Sequence, residues 1–268
     1  MKKNKVQTKL GKKEILRTGK GNPVLVVHGG PGMDYSYMTE TLIALESKYE
    51  LFFYEQTPEA GVEDPNPTAS KQVDELEDIL NSIATDKRSI RIIAHSWGTY
   101  LALEVARRPA ISKVSHMALI SPMPLTWDRF ASAGERLVSR VDEDDLPRVD
   151  QLESEGTEES GKKLMELVSY AYLAGGHQST ARPSIGRYNP TVNASVSASI
   201  EGYNQIDVTK FLEEVEVALI YGEDDYFIPS GTQELSQISE VSLLKNCGHF
   251  PFSENPTELI STLNKSLT

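Results

Sequence analysis

Short, strongly apolar runs alternate along this chain with segments that have helical spacing. The runs lie at residues 24–27, 51–54, 90–94 and 114–120 and are rich in β-branched, leucine or aromatic side chains. Between the second and third runs, apolar residues recur at helical spacing from Val73 to Ile83, with acidic residues between them. Strands that are apolar on both faces and alternate with helices are typical of a parallel sheet covered by helices on both sides. The alternation therefore predicts an α/β fold.

The alternation is interrupted between residues 122 and 207, where helical patches and polar turns occur without a clear strand. Acidic residues are dense at 142–159, which we interpret as a solvated helical face. Strand-like runs return at 215–221 and 241–244, and Asn255, Pro256 and Glu258 then have the pattern of a helix start. We predict a sheet-bearing core at residues 1–121 and 208–268, with an inserted helical cap at 122–207.

The balance of charge argues against several classes of partner. The 268 residues include 27 Lys and Arg against 39 Asp and Glu, so the formal net charge is −12. Such an acidic chain is a poor candidate for binding nucleic acid or anionic membranes through bulk charge. No apolar run approaches the roughly 18 residues of a membrane span, and the basic start lacks the apolar core of a signal peptide. We expect a soluble cytoplasmic protein, monomeric by default, with no nucleic-acid or membrane partner.

Residues 94–98, Ala-His-Ser-Trp-Gly, form a small-x-Ser-x-Gly pattern between a strand-like run and an apolar helical segment. In a sharp strand-to-helix turn of this kind the backbone is strained at the serine, and the hydroxyl is raised above the sheet. The N-terminus of the following helix favours negative charge that develops beside it. A five-residue pattern also fits an ordinary structural turn, but its place between strand and helix favours Ser96 as a nucleophile.

A nucleophilic serine needs a base and a carboxylate that orients the base. Among the five histidines, His249 is the candidate base, because it lies in a tight loop with Gly and Pro after the last strand-like run. Its alternative is a hydrogen-bonded structural role. Three acids, Glu223, Asp224 and Asp225, compete for the third position after the penultimate run. The chain order serine, acid, histidine matches that of α/β-hydrolases.

A glycine-rich loop, His-Gly-Gly-Pro-Gly at residues 28–32, follows the first buried run. Without side chains, Gly29 and Gly30 let the backbone approach a substrate closely. We predict the N–H groups of Gly30 and Trp97 as the two oxyanion donors, with Gly29 beside the substrate. A phosphate-binding loop is the alternative, but neither Gly-Lys-Ser/Thr nor Gly-x-Gly-x-x-Gly occurs here.

Together these motifs resemble α/β-hydrolases of the proline iminopeptidase type, over nearly the whole chain. The 28–32 loop resembles that group's glycine-rich loop, residues 94–98 resemble its elbow, usually Gly-Gly-Ser-Trp-Gly, and residues 248–251 resemble its histidine loop. In the segment that residues 222–229 resemble, the acid comes three residues after the glycine, which implies Asp225 before Asp224. The resemblance implies an α/β-hydrolase fold, a mostly parallel sheet flanked by helices with a helical cap. Its chemistry needs no metal and no organic cofactor.

Two departures from the family concern the substrate. The family usually has Asp-Gln-Arg-Gly after the second buried strand, where residues 55–58 of this chain are Glu-Gln-Thr-Pro. The family's aminopeptidases also place acids in the lid, where they hold the free amine of the substrate. Residues 199–203 resemble one such motif and imply Glu201 as an amine-binding residue, with a surface helix acid as the alternative. The second acidic motif, with Trp just before Glu, does not occur in the chain.

The resemblance implies a serine hydrolase that acts on a small molecule or short peptide through an acyl-enzyme, and first of all a proline iminopeptidase-like aminopeptidase. Because the same three residues also cleave esters, a carboxylesterase or lactonase is the alternative. A catalytically inactive hydrolase fold that acts as a binding protein is a further alternative from another class. The single cysteine, Cys247, excludes an internal disulfide and is interpreted as a buried structural thiol.

Overall fold

The computed structural model describes residues 1–58, 64, 66–84, 89–181, 183, 185–228, 235–237 and 239–268. Within these residues, eight strands form one sheet in the order β1-β2-β4-β3-β5-β6-β7-β8. The strands are β1 (Lys2–Thr8), β2 (Gly11–Gly19), β3 (Asn22–Val27), β4 (Tyr49–Tyr54), β5 (Ile90–His95), β6 (Val114–Ile120), β7 (Glu216–Gly222) and β8 (Val241–Leu244). All pairs from β4 to β8 are parallel, so the predicted mostly parallel sheet is confirmed.

Helices cover both faces of the sheet and occupy the stretch between β6 and β7. They are α1 (Ser36–Leu42), α2 (Ala69–Ile83), α3 (Trp97–Ala106), α4 (Trp127–Val138), α5 (Leu146–Glu155), α6 (Glu158–Val168), α7 (Pro190–Ala198), α8 (Pro251–Glu254) and α9 (Pro256–Ser266). We call residues 122–207, which include α4 to α7, the helical segment. The described part of this segment contains isolated β-bridges but no extended β-strand. At the start of α9, the Asn255 side chain accepts a hydrogen bond from the Glu258 N–H, as its sequence pattern predicts.

The core has two halves because the central strands are buried on both faces. In β3, Leu25 and Val27 pack on one side of the sheet with residues of α2 and α3. Val24 and Val26 pack on the other side with residues of α1 and α9. Alternating side chains of one strand point to opposite faces of a sheet, so a continuous apolar run supplies both halves.

The sheet also has an antiparallel hairpin, β1 and β2, which the apolar runs do not indicate. The β2 strand pairs with β4, and β1 extends the sheet to its edge. Most of β1 is exposed and rich in lysine, so it gives no apolar signal. Charged side chains on an edge strand also protect the open backbone from pairing with another chain.

The carboxyl ends of the parallel strands meet at one edge of the sheet. The glycine-rich loop follows β3, the serine turn follows β5, and the acidic loop and the histidine loop follow β7 and β8. Open α/β sheets bind ligands in the crevice outside these ends. Among the described residues, no helix has both the length and the apolar character needed to cross a bilayer.

Candidate active site

Ser96 lies in the sharp turn between β5 and α3. Its backbone has φ 50° and ψ −119°, a conformation that is uncommon for a residue with a side chain. The turn can pass close to β3 because residue 98 is glycine: a Cβ on Gly98 would lie 2.3 Å from the carbonyl oxygen of Val27. Ser96 is half-buried whereas its neighbours are buried, and it lines a cavity. The predicted elbow geometry is therefore present.

Hydrogen bonds connect Ser96, His249 and Asp225 in series. The Ser96 Oγ lies 2.9 Å from His249 Nε2, and His249 Nδ1 lies 3.1 Å from each carboxylate oxygen of Asp225. The Phe227 N–H donates to Asp225 Oδ1 over 2.9 Å. Burial raises the pKa of Asp225, but the charge of His249 and the hydrogen bonds to the carboxylate, including that of the Phe227 N–H, together lower it by more, so the pKa lies below its ordinary value. An ionised Asp225 holds the proton on Nδ1 and leaves Nε2 to accept one from Ser96.

The two competing acids have other partners. The Glu223 carboxylate accepts a hydrogen bond from the Asn246 N–H over 2.7 Å. Asp224 is exposed and forms an ion pair with Arg140 at 2.6 Å. Of the three acids in this loop, the structure brings Asp225 to His249. Residue 229, the proline at the end of the same segment, lies outside the described residues.

Both predicted oxyanion donors, Gly30 and Trp97, line the cavity that Ser96 faces. Trp97 is the first residue of α3, where helix geometry leaves its N–H without an acceptor inside the helix. Gly30 has φ 102°, and a Cβ there would lie 2.8 Å from the Met33 Cβ, so this turn requires glycine. Gly29 packs against the elbow instead: its Cβ would lie 3.2 Å from the Ser96 Cβ.

A buried chain of hydrogen bonds joins the glycine-rich loop, the elbow and the histidine loop. The Gly29 N–H donates to the Tyr37 hydroxyl over 2.7 Å, and that hydroxyl lies 2.7 Å from His95 Nδ1. His95 Nε2 lies 2.8 Å from the carbonyl oxygen of His249. Because a carbonyl only accepts, Nε2 carries the proton and Tyr37 donates to Nδ1. Burial lowers the pKa of His95 to about 3, so this ring is neutral.

The Glu254 carboxylate of α8 holds the backbone on both sides of His249. Its Oε1 accepts the Gly248 N–H at 3.0 Å and the Ala174 N–H at 2.7 Å, and its Oε2 accepts the Phe250 N–H at 3.1 Å. The His249 N–H donates to the carbonyl oxygen of Tyr172 over 2.8 Å. The histidine loop is therefore fixed both by α8 and by the helical segment.

The cavity above Ser96 has a volume of about 250 Å³. Its wall is mainly apolar and aromatic and comes from the glycine-rich loop, the helical segment and the loops after β7 and β8. The apolar and aromatic lining residues include Met33, Met123, Phe130, Leu137, Met165, Tyr172, Tyr188, Ile200, Tyr226, Phe227 and Phe250. Among the described lining residues, Glu153 is the one carboxylate, and none is a lysine or arginine.

The two carboxylates of interest in the helical segment have different positions. Glu201, the amine-binding candidate from the sequence, is exposed in the turn after α7 and does not line the cavity. Glu153 of α5 is exposed as well, as the interpretation of the acidic stretch as a solvated face predicts, but it also lines the cavity. Burial and then Asp150 raise the pKa of Glu153 above its ordinary value. The sequence does contain a signal for this position of Glu153. It follows Leu146 by seven residues and Val149 by four, which places the three on one helix face.

Residues 55–58, which differ from the sequence usual in the family, contribute to a contact with the helical segment. Glu55 forms an ion pair with Arg187, which also pairs with Glu158 at 3.3 Å. Gln56 donates its N–H to His28 Nε2 over 3.1 Å, under the glycine-rich loop. The loop after β4 is thereby joined to the helical segment on one side and to the site on the other.

Cys247 is buried, and burial raises the pKa of its thiol, in agreement with the expected structural thiol. In the part of the chain that the structure describes, no group of three or more His, Cys, Asp or Glu side chains could hold a metal ion.

Comparisons with known proteins agree with this architecture. The model of the Alpha/beta hydrolase family matches residues 24–262. A proline iminopeptidase of Heyndrickxia coagulans is 24% identical over 270 residues, which cover 93% of this chain and 91% of the relative.

Two solved structures have the same fold. An esterase of Thermogutta terrifontis aligns with TM-score 0.66 and 17% identity, covering 100% of this chain and 98% of that one. An enol-lactonase of Burkholderia xenovorans aligns with TM-score 0.67 and 15% identity, covering 98% of this chain and 99% of that one. The α/β-hydrolase fold and the resemblance to the proline iminopeptidase type are both confirmed. The chain belongs to the alpha/beta hydrolase family.

Proposed function

We propose that this hydrolase is a serine hydrolase that works through an acyl-enzyme. The observation that carries the proposal is the hydrogen-bonded series from Ser96 through His249 to Asp225, with 2.9 Å between Ser96 Oγ and His249 Nε2. The series lies at the carboxyl edge of the sheet and opens into a cavity. In its geometry and chain order it has the arrangement that activates a serine hydroxyl.

The proposed reaction begins when Ser96 Oγ attacks the substrate carbonyl and His249 Nε2 takes the hydroxyl proton. Asp225 stabilises the resulting imidazolium, and the N–H groups of Gly30 and Trp97 stabilise the oxyanion. His249 then protonates the leaving group as its bond to the carbonyl carbon breaks, which leaves the acyl-enzyme. A water molecule, deprotonated by His249, attacks the acyl carbon, and His249 returns that proton to Ser96 Oγ as the acyl group leaves. Loss of one oxyanion donor typically costs about 3–4 kcal/mol in the transition state.

The helical segment, residues 122–207, serves in this proposal as the cap over a core of residues 1–121 and 208–268. Residues of α4, α5, α6 and α7 line the cavity together with residues of the core loops. Substrate selectivity is therefore assigned to the cap, and bond cleavage to the core.

The first candidate activity is that of an aminopeptidase on short peptides. It is supported by the relative named proline iminopeptidase and by a carboxylate, Glu153, in the cavity wall. Across about 4 Å, a carboxylate attracts an ammonium group by about 4 kcal/mol at an effective dielectric constant near 20. Glu153 thus takes the amine-binding role that the sequence motif suggested for Glu201.

The second candidate activity is that of an esterase or lactonase. It is favoured by the apolar and aromatic character of most of the cavity wall, and by the exposed position of Glu201. Neutral esters need no partner for a free amine, so such a wall is sufficient for them. A binding protein without activity is the remaining alternative.

The test of the serine mechanism compares the purified protein with Ser96→Ala. A fluorophosphonate probe is expected to label the unaltered protein at Ser96 and to leave the variant unlabelled. Hydrolysis of p-nitrophenyl acetate is expected to fall to background in the variant, while the thermal unfolding curve keeps its cooperativity. If the unaltered protein neither reacts with the probe nor hydrolyses any substrate, the binding-protein alternative replaces the proposal.

A paired substrate panel separates the two activities. Amino-acid p-nitroanilides, including the prolyl derivative, are compared with the same compounds acetylated on nitrogen, and with acetate and butyrate esters of p-nitrophenol. An aminopeptidase cleaves the free-amine anilides and loses that activity when the amine is acetylated. Cleavage of the esters without the anilides identifies an esterase or lactonase.

A further inference from the structure

Gly134 lies inside helix α4, where its presence has no structural explanation. It is the eighth residue of Trp127–Val138, and glycine is among the least favourable residues in a helix interior. Apart from its chain neighbours and the backbone of its own helix, no heavy atom lies within 4 Å of the position that a Cβ on Gly134 would take. Its φ is not in the left-handed region either, because Gly134 is not among the described residues that have a positive φ. Neither packing nor backbone conformation therefore requires glycine here.

The open space beside Gly134 belongs to the cavity above Ser96. Phe130, Gly134 and Leu137 all line the cavity, and their spacing of four and then three residues places them on one face of α4. Phe130 and Leu137 present apolar side chains to the cavity, while the position between them presents none. The absent side chain leaves a notch in the cavity wall between Phe130 and Leu137.

We propose that Gly134 is a specificity-determining residue, whose notch receives an apolar group of the substrate larger than methyl. The inference deepens the proposed serine hydrolase function and rests on it. The class of the group follows from its surroundings: the notch is flanked by Phe130 and Leu137, and the α4 wall contributes no charged side chain to the cavity. Both a long acyl chain and a long alcohol chain have this chemistry.

The experiment fills the notch in steps with Gly134→Ala and Gly134→Leu. The matched control is Ala131→Leu, which adds bulk to an exposed position of the same helix. Because alanine is favoured over glycine in helices and its Cβ would meet no residue outside α4, Gly134→Ala is expected to fold and to raise the melting temperature. It keeps the proposal testable if the leucine variant fails to fold.

Two ester series distinguish the acyl chain from the alcohol chain. The first varies the acyl group of p-nitrophenyl esters from acetate through butyrate to octanoate, and the second varies the alcohol of acetate esters from methyl to octyl. In at least one series, Gly134→Leu is expected to lose about ten-fold or more in kcat/KM on the longest substrate relative to the shortest, with Gly134→Ala in between. The series that responds identifies the chain in the notch.

Three results would overturn the inference. Equal losses on short and long substrates would indicate general damage to the site. No change in either series, or the same change in Ala131→Leu, would mean that position 134 does not contact the substrate. A failure of the serine hydrolase function is seen separately, since the unaltered protein would then show no hydrolysis sensitive to Ser96→Ala even on the short esters.

Discussion

Glu153 and Glu201 offer a test of how this cavity recognises a charge. Both carboxylates are exposed, but Glu153 lines the cavity, whereas Glu201 lies in the turn after α7, outside the cavity wall. We expect Glu153→Gln to raise KM about ten-fold for prolyl p-nitroanilide, because an amine in the cavity loses its carboxylate partner. The expected effect is well below the full Coulomb energy, because Glu153 is solvent-exposed and water screens its charge. KM is determined for both the anilide and a neutral ester, over substrate concentrations that extend to saturation.

The matched control for that change is Glu201→Gln, which removes the same charge outside the cavity. It is expected to leave KM for both substrates unchanged. The amine-binding role of Glu153 is refuted if Glu153→Gln raises KM equally for the anilide and the neutral ester, or if Glu201→Gln alone affects the anilide.

For single residues, the sequence predicts the site where a backbone motif determines the position of a side chain. Ser96 is positioned by a strand-to-helix turn, and His249 follows the last strand, so both could be predicted from local patterns. The acid could not be chosen by local pattern alone, because Glu223, Asp224 and Asp225 are adjacent; the structure brings Asp225 to His249 by turning the other two toward Asn246 and Arg140.

Helix α8 is the element that holds the histidine loop, through the three backbone N–H groups bound by Glu254. We expect Glu254→Gln to lower kcat about ten-fold with little change in KM, because an amide side chain cannot accept all three bonds and the ring of His249 loses its alignment. Hydrogen bonds to a charged group are worth about 1.5–3 kcal/mol each, which makes a change of that size reasonable. The rate of Ser96 labelling by a fluorophosphonate is expected to fall in parallel.

The control for this element is Glu258→Gln in α9, which makes the same chemical change beyond the loop. Glu258 contacts Asn255 at the start of its own helix. If both variants lower the labelling rate by the same factor, or if Glu254→Gln changes melting temperature without changing kcat, the positioning role assigned to Glu254 is wrong.

Elements differ in how far the sequence predicts them. The central strands were predictable because burial on both faces makes them continuously apolar, as in β3 and β5. The β1–β2 hairpin was not, because β1 is mostly exposed and its lysines resemble a solvated tail. The contribution of α5 to the cavity is not predicted for a related reason: the density of acids at 142–159 obscures the spacing that places Glu153 on the same helix face as Val149.

Across the whole molecule, two histidines beneath the site couple stability to pH. His28 and His95 are 0% and 1% exposed, and burial lowers their pKa values to about 4 and about 3. In the unfolded chain the pKa of each returns to its ordinary value of 6.5. Between pH 6.5 and about 4 the unfolded chain therefore binds protons that the folded protein does not, and the free energy of unfolding falls as pH falls.

Each histidine contributes a slope of up to roughly 1.4 kcal/mol per pH unit in that window. The carboxyls of Glu75, which is buried, and Glu254, which is half-buried, act in the opposite direction, because burial raises their pKa values and the folded state then binds the extra protons. The contribution of a histidine is therefore obtained as the difference between the unaltered protein and a variant that lacks that histidine. Urea unfolding of the unaltered protein and of His95→Gln, from about pH 7 to about pH 4.5, gives the two slopes.

We expect His95→Gln to be less stable at neutral pH, because the bonds to Tyr37 and to the His249 carbonyl are disturbed. Its free energy of unfolding is nevertheless expected to fall less steeply with acid, since one proton-binding group of the unfolded chain has been removed. His28→Gln, under the neighbouring loop, is expected to flatten the curve in the same way, down to about pH 4. Equal slopes for all three proteins would contradict the neutral, buried state of both rings. They would also contradict the hydrogen-bond directions that this state imposes between the glycine-rich loop, the elbow and the histidine loop.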